Sequence, residues 1–136
     1  GGRAGYRLGD WVPKRPPVSF KGGTCREELL HAQHSHLDLY GNFIPAFCGG
    51  MRLGDWHDLA AVIKAAREGN LPPMIARLLA AGPYGLYTQA QEKFGYQPLT
   101  GGYAGKCHLC VDVRKHLLQE GAHPESLVPR QFYESF

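Results

Sequence analysis

An alternating pattern of polar and apolar residues marks the first predicted element. His36-Leu37-Asp38-Leu39 has the period of two that is typical of a half-buried strand. Tyr40-Gly41-Asn42 then supplies turn residues that tolerate a positive φ angle, and residues 43–47 form the predicted return strand. Pro45 cannot donate to a strand ladder, so we expect it at an edge or a bulge. The pattern predicts a β-hairpin over residues 36–47.

Helical periodicity follows the hairpin. An apolar stripe with i, i+3, i+4, i+7 spacing comes after two candidate N-caps, Asp55 and Asp58, and consists of Leu59, Val62, Ile63 and Ala66. Gly69 is expected to end this helix. Further helices are predicted over 72–81, over 84–94 and from Cys107 to about residue 120, and the glycines expected to end them are Gly82, Gly95 and Gly121. Residues 124–136 are expected to form a short helical tail.

The first 24 residues show neither pattern. They are rich in proline, glycine and basic side chains, and Pro13, Pro16 and Pro17 exclude a long helix or a central strand. We therefore predict an extended connection over residues 1–24. The chain begins at Gly-Gly-Arg-Ala-Gly without a methionine, so we expect it to be part of a longer protein.

Composition and charge narrow the function classes. A chain of 136 residues with 43% hydrophobic content is expected to form one domain with an apolar core. The net charge of +3 is spread out without a basic run, which argues against nucleic-acid binding. No apolar stretch approaches the roughly 18 residues that span a bilayer, so no membrane partner is expected. No signal peptide precedes the four cysteines, which indicates a reducing, cytoplasmic environment.

The four cysteines are the strongest chemical signal. Cys107 and Cys110 form a C-x-x-C at the start of a predicted helix, where two thiolates chelate one metal centre and the helix N-terminus favours their charge. Cys48 precedes two glycines, and Cys25 follows Gly-Gly-Thr, so both lie in predicted loops. Four cysteine thiols match either a four-cysteine iron–sulfur cluster or a four-cysteine zinc site, and their spacing does not separate the two.

Other uses of these residues fit less well. A thioredoxin-like role requires a βαβ context before the C-x-x-C, whereas three helices are predicted there. Disulfides are disfavoured in a reducing compartment. Some histidines offer a mixed cysteine–histidine zinc site, namely His31, His34 and His36, with His57 and His108 as further candidates. Histidines on a strand surface or in a core are the commoner outcome, and His108 is expected to donate to a sulfur or to face water.

Three consecutive motifs carry a family resemblance: Cys25-Arg26-Glu27-Glu28-Leu29-Leu30-His31, His36-Leu37-Asp38-Leu39-Tyr40-Gly41-Asn42 and Cys48-Gly49-Gly50. They resemble the C-terminal extensions of radical S-adenosylmethionine enzymes, which are called SPASM or twitch domains and carry auxiliary 4Fe–4S clusters. Cys25, Gly41 and Cys48 match the first cysteine, the hairpin glycine and the second cysteine of that signature. Cys107 and Cys110 match its downstream ligands, so the resemblance covers residues 25–114.

The resemblance implies an α+β domain over residues 25–136, with a small β-hairpin and several short helices organised around one metal cluster. It implies one 4Fe–4S cluster on Cys25, Cys48, Cys107 and Cys110, serving electron relay or structural bracing near the substrate. The six residues between Gly41 and Cys48 are more than is usual in the family, and four cysteines suffice for one cluster only.

This chain has no C-x-x-x-C-x-x-C, the motif that binds the catalytic cluster and S-adenosylmethionine. S-adenosylmethionine would therefore bind only in a missing N-terminal barrel, which is the implied partner in cis or as a separate chain. The resemblance also implies that residues 1–24 are the extended lead-in from this barrel. A peptide is the implied candidate substrate. The alternative from the residues alone is a zinc-stabilised interaction module without catalysis. Arg26, Lys106, Arg114 and Lys115 flank the cysteines, where positive charge would raise a cluster's reduction potential.

Overall fold

The structure, a computed structural model, describes residues 3–30 and 34–136. Within those ranges the chain forms six α-helices and a three-stranded antiparallel sheet, so the predicted α+β class is confirmed. The helices are α1 (Ala4–Leu8), α2 (Arg26–Leu30), α3 (Leu59–Glu68), α4 (Pro73–Phe94), α5 (Lys106–Gln119) and α6 (Gln131–Glu134), and the strands are β1 (Ser35–Leu37), β2 (Asn42–Pro45) and β3 (Gly54–Asp55). In the described ranges, each helix is too short or too polar to cross a lipid bilayer.

The predicted hairpin is present, and a third strand extends it. β1 and β2 pair in antiparallel register, and Gly41, with a φ of +79°, lies in the turn between them. β3 pairs with the other edge of β2, so β2 is the central strand. Pro45 fits there because β3 reaches only Asn42 and Phe43, which leaves Pro45 paired on one side.

The burial expected for the first strand is wrong. All three residues of β1 are exposed, although their sequence alternates. β1 is an edge strand, and its side chains are not covered by another element of the described chain. Alternation therefore indicated the strand correctly without indicating a buried face.

The helix predicted from the stripe at residues 59–66 is confirmed as α3. The Asp58 carboxylate accepts a hydrogen bond from the Ala61 N–H at 3.1 Å, and Gly69, with a φ of +74°, ends the helix. α3 is described along its whole length, and none of its side chains is fully buried. Leu59 and Ile63 remain 37% and 51% exposed, so β3 covers the apolar face only in part.

The two helices predicted over 72–81 and 84–94 are the two halves of α4. Gly82, with a φ of +61° and a ψ of −165°, interrupts the helix between them. Pro83 favours a break at this point because it lacks an N–H and restricts the residue before it. The bend brings the first half of α4 against the loop that precedes α2, where Cys25 lies.

The core lies between α4 and α5. Leu78 and Leu86 from α4 and Leu109 and Val113 from α5 are fully buried. Each such aliphatic side chain contributes about 1.5–3 kcal/mol when it leaves water. Because α5 carries the C-x-x-C, this packing fixes the position of two cysteines relative to the rest of the molecule.

Residues 3–24 are more structured than the extended connection expected from the sequence of residues 1–24. α1 packs on α5, where a Cβ added at Gly5 would lie 2.2 Å from the His108 ring. Arg15 and Tyr103 exchange two backbone hydrogen bonds of 2.9 Å. The prolines exclude a long helix, as expected, but they leave room for one short helix and for 3₁₀ turns at Gly9–Trp11 and Pro17–Phe20.

Candidate metal centre

Four thiols from three separate parts of the chain line one cavity. Its volume is about 220 Å³, and its lining includes Cys25, Cys48, Cys107 and Cys110. All four are free thiols; Cys25 and Cys110 are buried, Cys48 is half-buried and Cys107 is exposed. The structure therefore brings together all four residues that the sequence predicts as ligands.

Cys25 reaches the cavity because Gly82 allows two chain segments to touch. A Cβ at Gly82 would lie 1.8 Å from the Gly23 carbonyl oxygen, so a side chain there would collide with the backbone. The Cys25 N–H donates to the Leu78 carbonyl of α4 at 3.2 Å. The Cys25 carbonyl accepts from the Leu29 N–H at 2.9 Å and begins α2. The kink in α4 thus positions one candidate ligand.

Cys48 lies in the loop that follows β2. Its carbonyl accepts a hydrogen bond from the Met51 N–H at 3.1 Å, which tightens the loop. The ring of Phe132 lies against the two glycines after Cys48, where a Cβ would approach it to 2.6 Å at Gly49 and 2.2 Å at Gly50. Two glycines therefore let an aromatic ring cover this loop beside the cavity.

Cys107 and Cys110 lie in the first turns of α5, as predicted. No side chain caps this helix, so its free N–H groups and its dipole favour negative charge nearby. Lys106 donates to the Thr24 carbonyl at 3.1 Å and forms an ion pair with Glu28 at 2.5 Å. These contacts join the start of α5 to the α2 segment.

Burial raises the pKa of three of the thiols. The pKa of Cys48 rises to about 12, with Arg114 opposing part of the effect. The pKa values of Cys25 and Cys110 are also raised, mainly by burial, and neighbouring thiols add to the rise because adjacent thiolates repel. These three thiols hold their protons at neutral pH unless a bound metal displaces them.

The cavity offers sulfur donors to a metal ion or a cluster. The four thiols share its lining of about 220 Å³ with apolar side chains such as Leu29, Leu78 and Phe132. In residues 3–30 and 34–136, no three His, Cys, Asp or Glu side chains are placed to hold one metal ion. Four cysteine sulfurs are the donor set both of structural zinc sites and of 4Fe–4S clusters.

Of the four basic residues that flank the cysteines in sequence, Arg114 alone lines the cavity among the described residues. It is 2% exposed, whereas Arg26 is exposed. Lys106 does not line the cavity and is paired with Glu28, but its charge opposes part of the rise in the pKa of Cys25 and of Cys110. Lys115 points toward the chain end, where its ammonium lies 4.9 Å from the centre of the Phe136 ring. Of the four basic residues, only Arg114 therefore faces the cavity directly.

The histidines in the described part of the chain do not line the cysteine cavity. The rings of His34 and His36 lie 4.6 and 6.0 Å from the Phe47 ring centre, and the His57 ring bonds to a carboxylate of its own turn at 2.8 Å. His31 lies outside the described residues. Since no described histidine lines the cysteine cavity, the mixed cysteine–histidine zinc site finds no support there.

His108 faces away from the cavity, unlike the expected contact with a sulfur or with water. Its Nδ1 accepts a hydrogen bond from the Ala104 N–H at 3.2 Å, and its ring packs against Tyr6 and Tyr103. Burial lowers the pKa of His108. Its Nε2 has no hydrogen-bond partner in the described part of the chain. The residue between the two cysteines therefore supports the packing of α1.

A hydrogen-bond network of three tyrosines and one carboxylate lies on the face of α5 that carries His108, and the sequence did not predict it. The Asp112 carboxylate accepts hydrogen bonds from Tyr6 at 2.5 Å and from Tyr96, whose oxygen lies 2.5 Å from the Tyr103 hydroxyl. Burial and this carboxylate raise the pKa of all three tyrosines, that of Tyr103 to about 12. Tyr6 is distant in sequence from the other three members, so no local spacing could have indicated the whole network.

Neither a protein-family model nor a curated protein nor a solved structure matches this chain.

Proposed function

We propose that this chain binds one auxiliary 4Fe–4S cluster through Cys25, Cys48, Cys107 and Cys110. The observation that carries the proposal is that four thiols from distant segments line a single cavity. Four cysteine thiolates are the usual ligand set of a 4Fe–4S cluster. When bound, such a cluster supplies one-electron transfer, and the surrounding side chains exclude water from much of it.

The wider role follows from the resemblance of residues 25–114 to SPASM and twitch domains. The chain would serve as the C-terminal domain of a radical S-adenosylmethionine enzyme, in electron relay or structural bracing near the substrate. S-adenosylmethionine and a candidate peptide substrate would bind with the help of the N-terminal barrel. A C-x-x-x-C-x-x-C upstream in the same gene, or in a partner that copurifies, would support this part of the proposal.

A zinc-stabilised interaction module is the second candidate, because four thiols are also a common structural zinc set. Anaerobic purification, followed by an absorption spectrum and by iron, sulfide and zinc analysis, separates the two. A brown protein that absorbs near 400 nm and holds about four irons per chain supports the cluster. A colourless protein with about one zinc per chain supports the module.

Cys107→Ser, purified in the same way, tests the proposed ligand set. It removes one candidate ligand at an exposed position, so the metal-free fold is expected to persist. Stoichiometric iron in this variant would contradict the proposed ligand set. Failure of the wild-type chain to retain either metal, as isolated or after anaerobic reconstitution, would contradict both functions.

A further inference from the structure

Arg114 is a buried cation that faces the four thiols. Its side chain is 2% exposed and lines the cavity together with the cysteines. One terminal nitrogen donates to the Gly49 carbonyl at 3.1 Å and to the Tyr133 hydroxyl at 3.1 Å, and Nε donates to the Cys110 carbonyl at 3.4 Å. The guanidinium therefore bridges the backbone beside two candidate ligands.

The charge of Arg114 lacks an ionic partner. Among the described residues, no carboxylate lies within ion-pair distance of its guanidinium, and all twelve acidic residues of the chain fall in the described ranges. The hydrogen-bond partners of the guanidinium are two backbone carbonyls and the Tyr133 hydroxyl, all of them neutral. The Tyr133 hydroxyl itself donates to the Gly50 carbonyl at 2.5 Å. Burying a charge without an ionic partner is costly, so an anion bound in the cavity would stabilise this arrangement.

The thiols provide that anion once they bind iron. Four thiolates around a cluster core of charge about +2 leave a net charge near −2. Because the cluster is more negative after it accepts an electron, a nearby positive charge stabilises the reduced form more than the oxidised form. In a buried cavity this interaction is only weakly screened by salt.

We propose that Arg114 is the counter-charge of the bound cluster, raising its reduction potential and holding the Cys48 loop against α5. The inference rests on the proposed function, since it requires the cluster. The proposal assigns two separable effects to Arg114. Its charge changes the reduction potential of the cluster, and its hydrogen bond to the Gly49 carbonyl holds the Cys48 loop.

The experiment measures the midpoint potential of the reconstituted cluster in the full chain, together with the rate of iron loss to a chelator. Arg114→Gln is expected to shift the potential to a more negative value and to speed iron loss several-fold. Arg114→Lys keeps the positive charge but loses the hydrogen bonds of the guanidinium. The midpoint potential of the cluster in this variant should therefore stay near the wild-type value, while iron loss should still be faster. Arg26→Gln is the control, since it removes an exposed charge beside Cys25 and should change neither value.

If Arg114→Gln does not fold, Arg114→Met carries the same prediction, because an aliphatic side chain of similar length fills the buried space. A cluster whose potential is unchanged in Arg114→Gln or Arg114→Met, or is lowered as much in Arg114→Lys, overturns this inference and leaves the cluster intact. A wild-type chain that takes up no iron overturns the proposed function and this inference with it.

Discussion

At the scale of single residues, the position of Cys25 depends on a backbone conformation that glycine alone adopts readily. Gly82 has a φ of +61° and a ψ of −165°, in a region almost restricted to glycine, and the Gly23 carbonyl occupies the space of its missing side chain. Gly69 also has a positive φ, +74°, but nothing lies within 4 Å of the Cβ that it would carry. The two positions therefore share backbone strain and differ in crowding.

Alanine at these two glycines should separate strain from crowding. Gly82→Ala is expected to lower the free energy of unfolding by about 3 kcal/mol, because overpacking adds to the cost of the backbone conformation. Gly69→Ala should cost only about 1 kcal/mol, the price of a left-handed residue alone. Urea denaturation of the metal-free proteins measures both values. Equal losses of unfolding free energy in the two variants would show that the Gly23 carbonyl moves away from the added methyl group at little cost.

Serine at two of the cysteines should distinguish ligand loss from fold loss. Cys107 is exposed, so Cys107→Ser is expected to leave the stability of the metal-free protein within about 0.5 kcal/mol of the wild type. Cys110 is buried, so Cys110→Ser is expected to cost about 1–3 kcal/mol through a buried hydroxyl. Both variants should lose the metal and its stabilisation. Metal analysis and thermal unfolding check this, and an undiminished metal content in either would count against the four-thiol site.

At the scale of elements, α5 presents two faces with different tasks. Cys107, Cys110 and Arg114 recur at i, i+3 and i+7 and line the cavity. His108 and Asp112, at i and i+4, lie on the face that packs against tyrosines from α1 and from the loop before α5. The cavity face is thus held in place by a polar network on the opposite side of the same helix.

That network predicts a loss of stability in alkali. The pKa of Tyr103 is about 12 in the folded protein, against about 10 in an unfolded chain. Above pH 10 the unfolded state loses a proton that the folded state keeps, so this stabilisation is complete below pH 10 and is lost as the pH approaches 12. Unfolding free energies measured at pH 7, 10 and 11 give the slope of stability against pH.

Asp112→Asn tests the cause of that slope. The carboxylate raises the tyrosine pKa values, so the variant should lose stability less steeply above pH 10. It should also be about 1–3 kcal/mol less stable at pH 7, because the hydrogen bonds to the carboxylate are weakened. Asp10→Asn, an exposed change, is the control and should alter neither property. An identical slope in Asp112→Asn and the wild type would contradict the role given to this carboxylate.

The elements with local signals were predictable from sequence. Asp58 and Gly69 are a capping pair for α3, and Gly82 divides α4, because these residues act through their own backbone neighbourhood. β3 was missed because its two residues carry no alternation, and Gly54 is placed by close packing against Val62 of α3. Tertiary contacts decide such short strands, and a single sequence does not display them.

The candidate site also contains residues with local sequence signals and residues that only tertiary contacts place. The four cysteines are candidates from sequence because their residue type and their predicted positions at loops and element ends are local features. Arg114 was one of four flanking basic residues, and its burial depends on Gly49 and Tyr133, which are distant in sequence. No periodicity indicates which of four cations turns toward a cavity, so this part of the site required the structure.

At the scale of the whole molecule, the cavity is built from segments that meet only in the folded chain. Cys25 precedes α2, Cys48 follows the sheet, and Cys107 and Cys110 begin α5. A metal bound to all four therefore closes long loops and stabilises the folded state over the unfolded one. α3 lies outside this assembly, since none of its side chains lines the cavity in the described structure.

Metal loading should therefore protect the protein unevenly. We expect backbone hydrogen exchange to slow at residues 25–30, 47–51 and 106–111 on loading, while α3 changes little. The melting temperature should rise on loading and fall again with a chelator. Exchange mass spectrometry of the two forms measures the pattern. Equal protection of α3 and of the cysteine segments would contradict a site confined to this cavity.

X-ray absorption at the metal edge of the loaded chain reports which atoms surround the bound metal. A four-cysteine cluster predicts iron with sulfur neighbours alone and with other iron atoms just beyond them. Loss of that iron–iron signal in Cys110→Ser would tie it to the cavity. A single zinc with four sulfurs at about 2.3 Å, or iron bound mainly by nitrogen and oxygen, would contradict the proposed cluster.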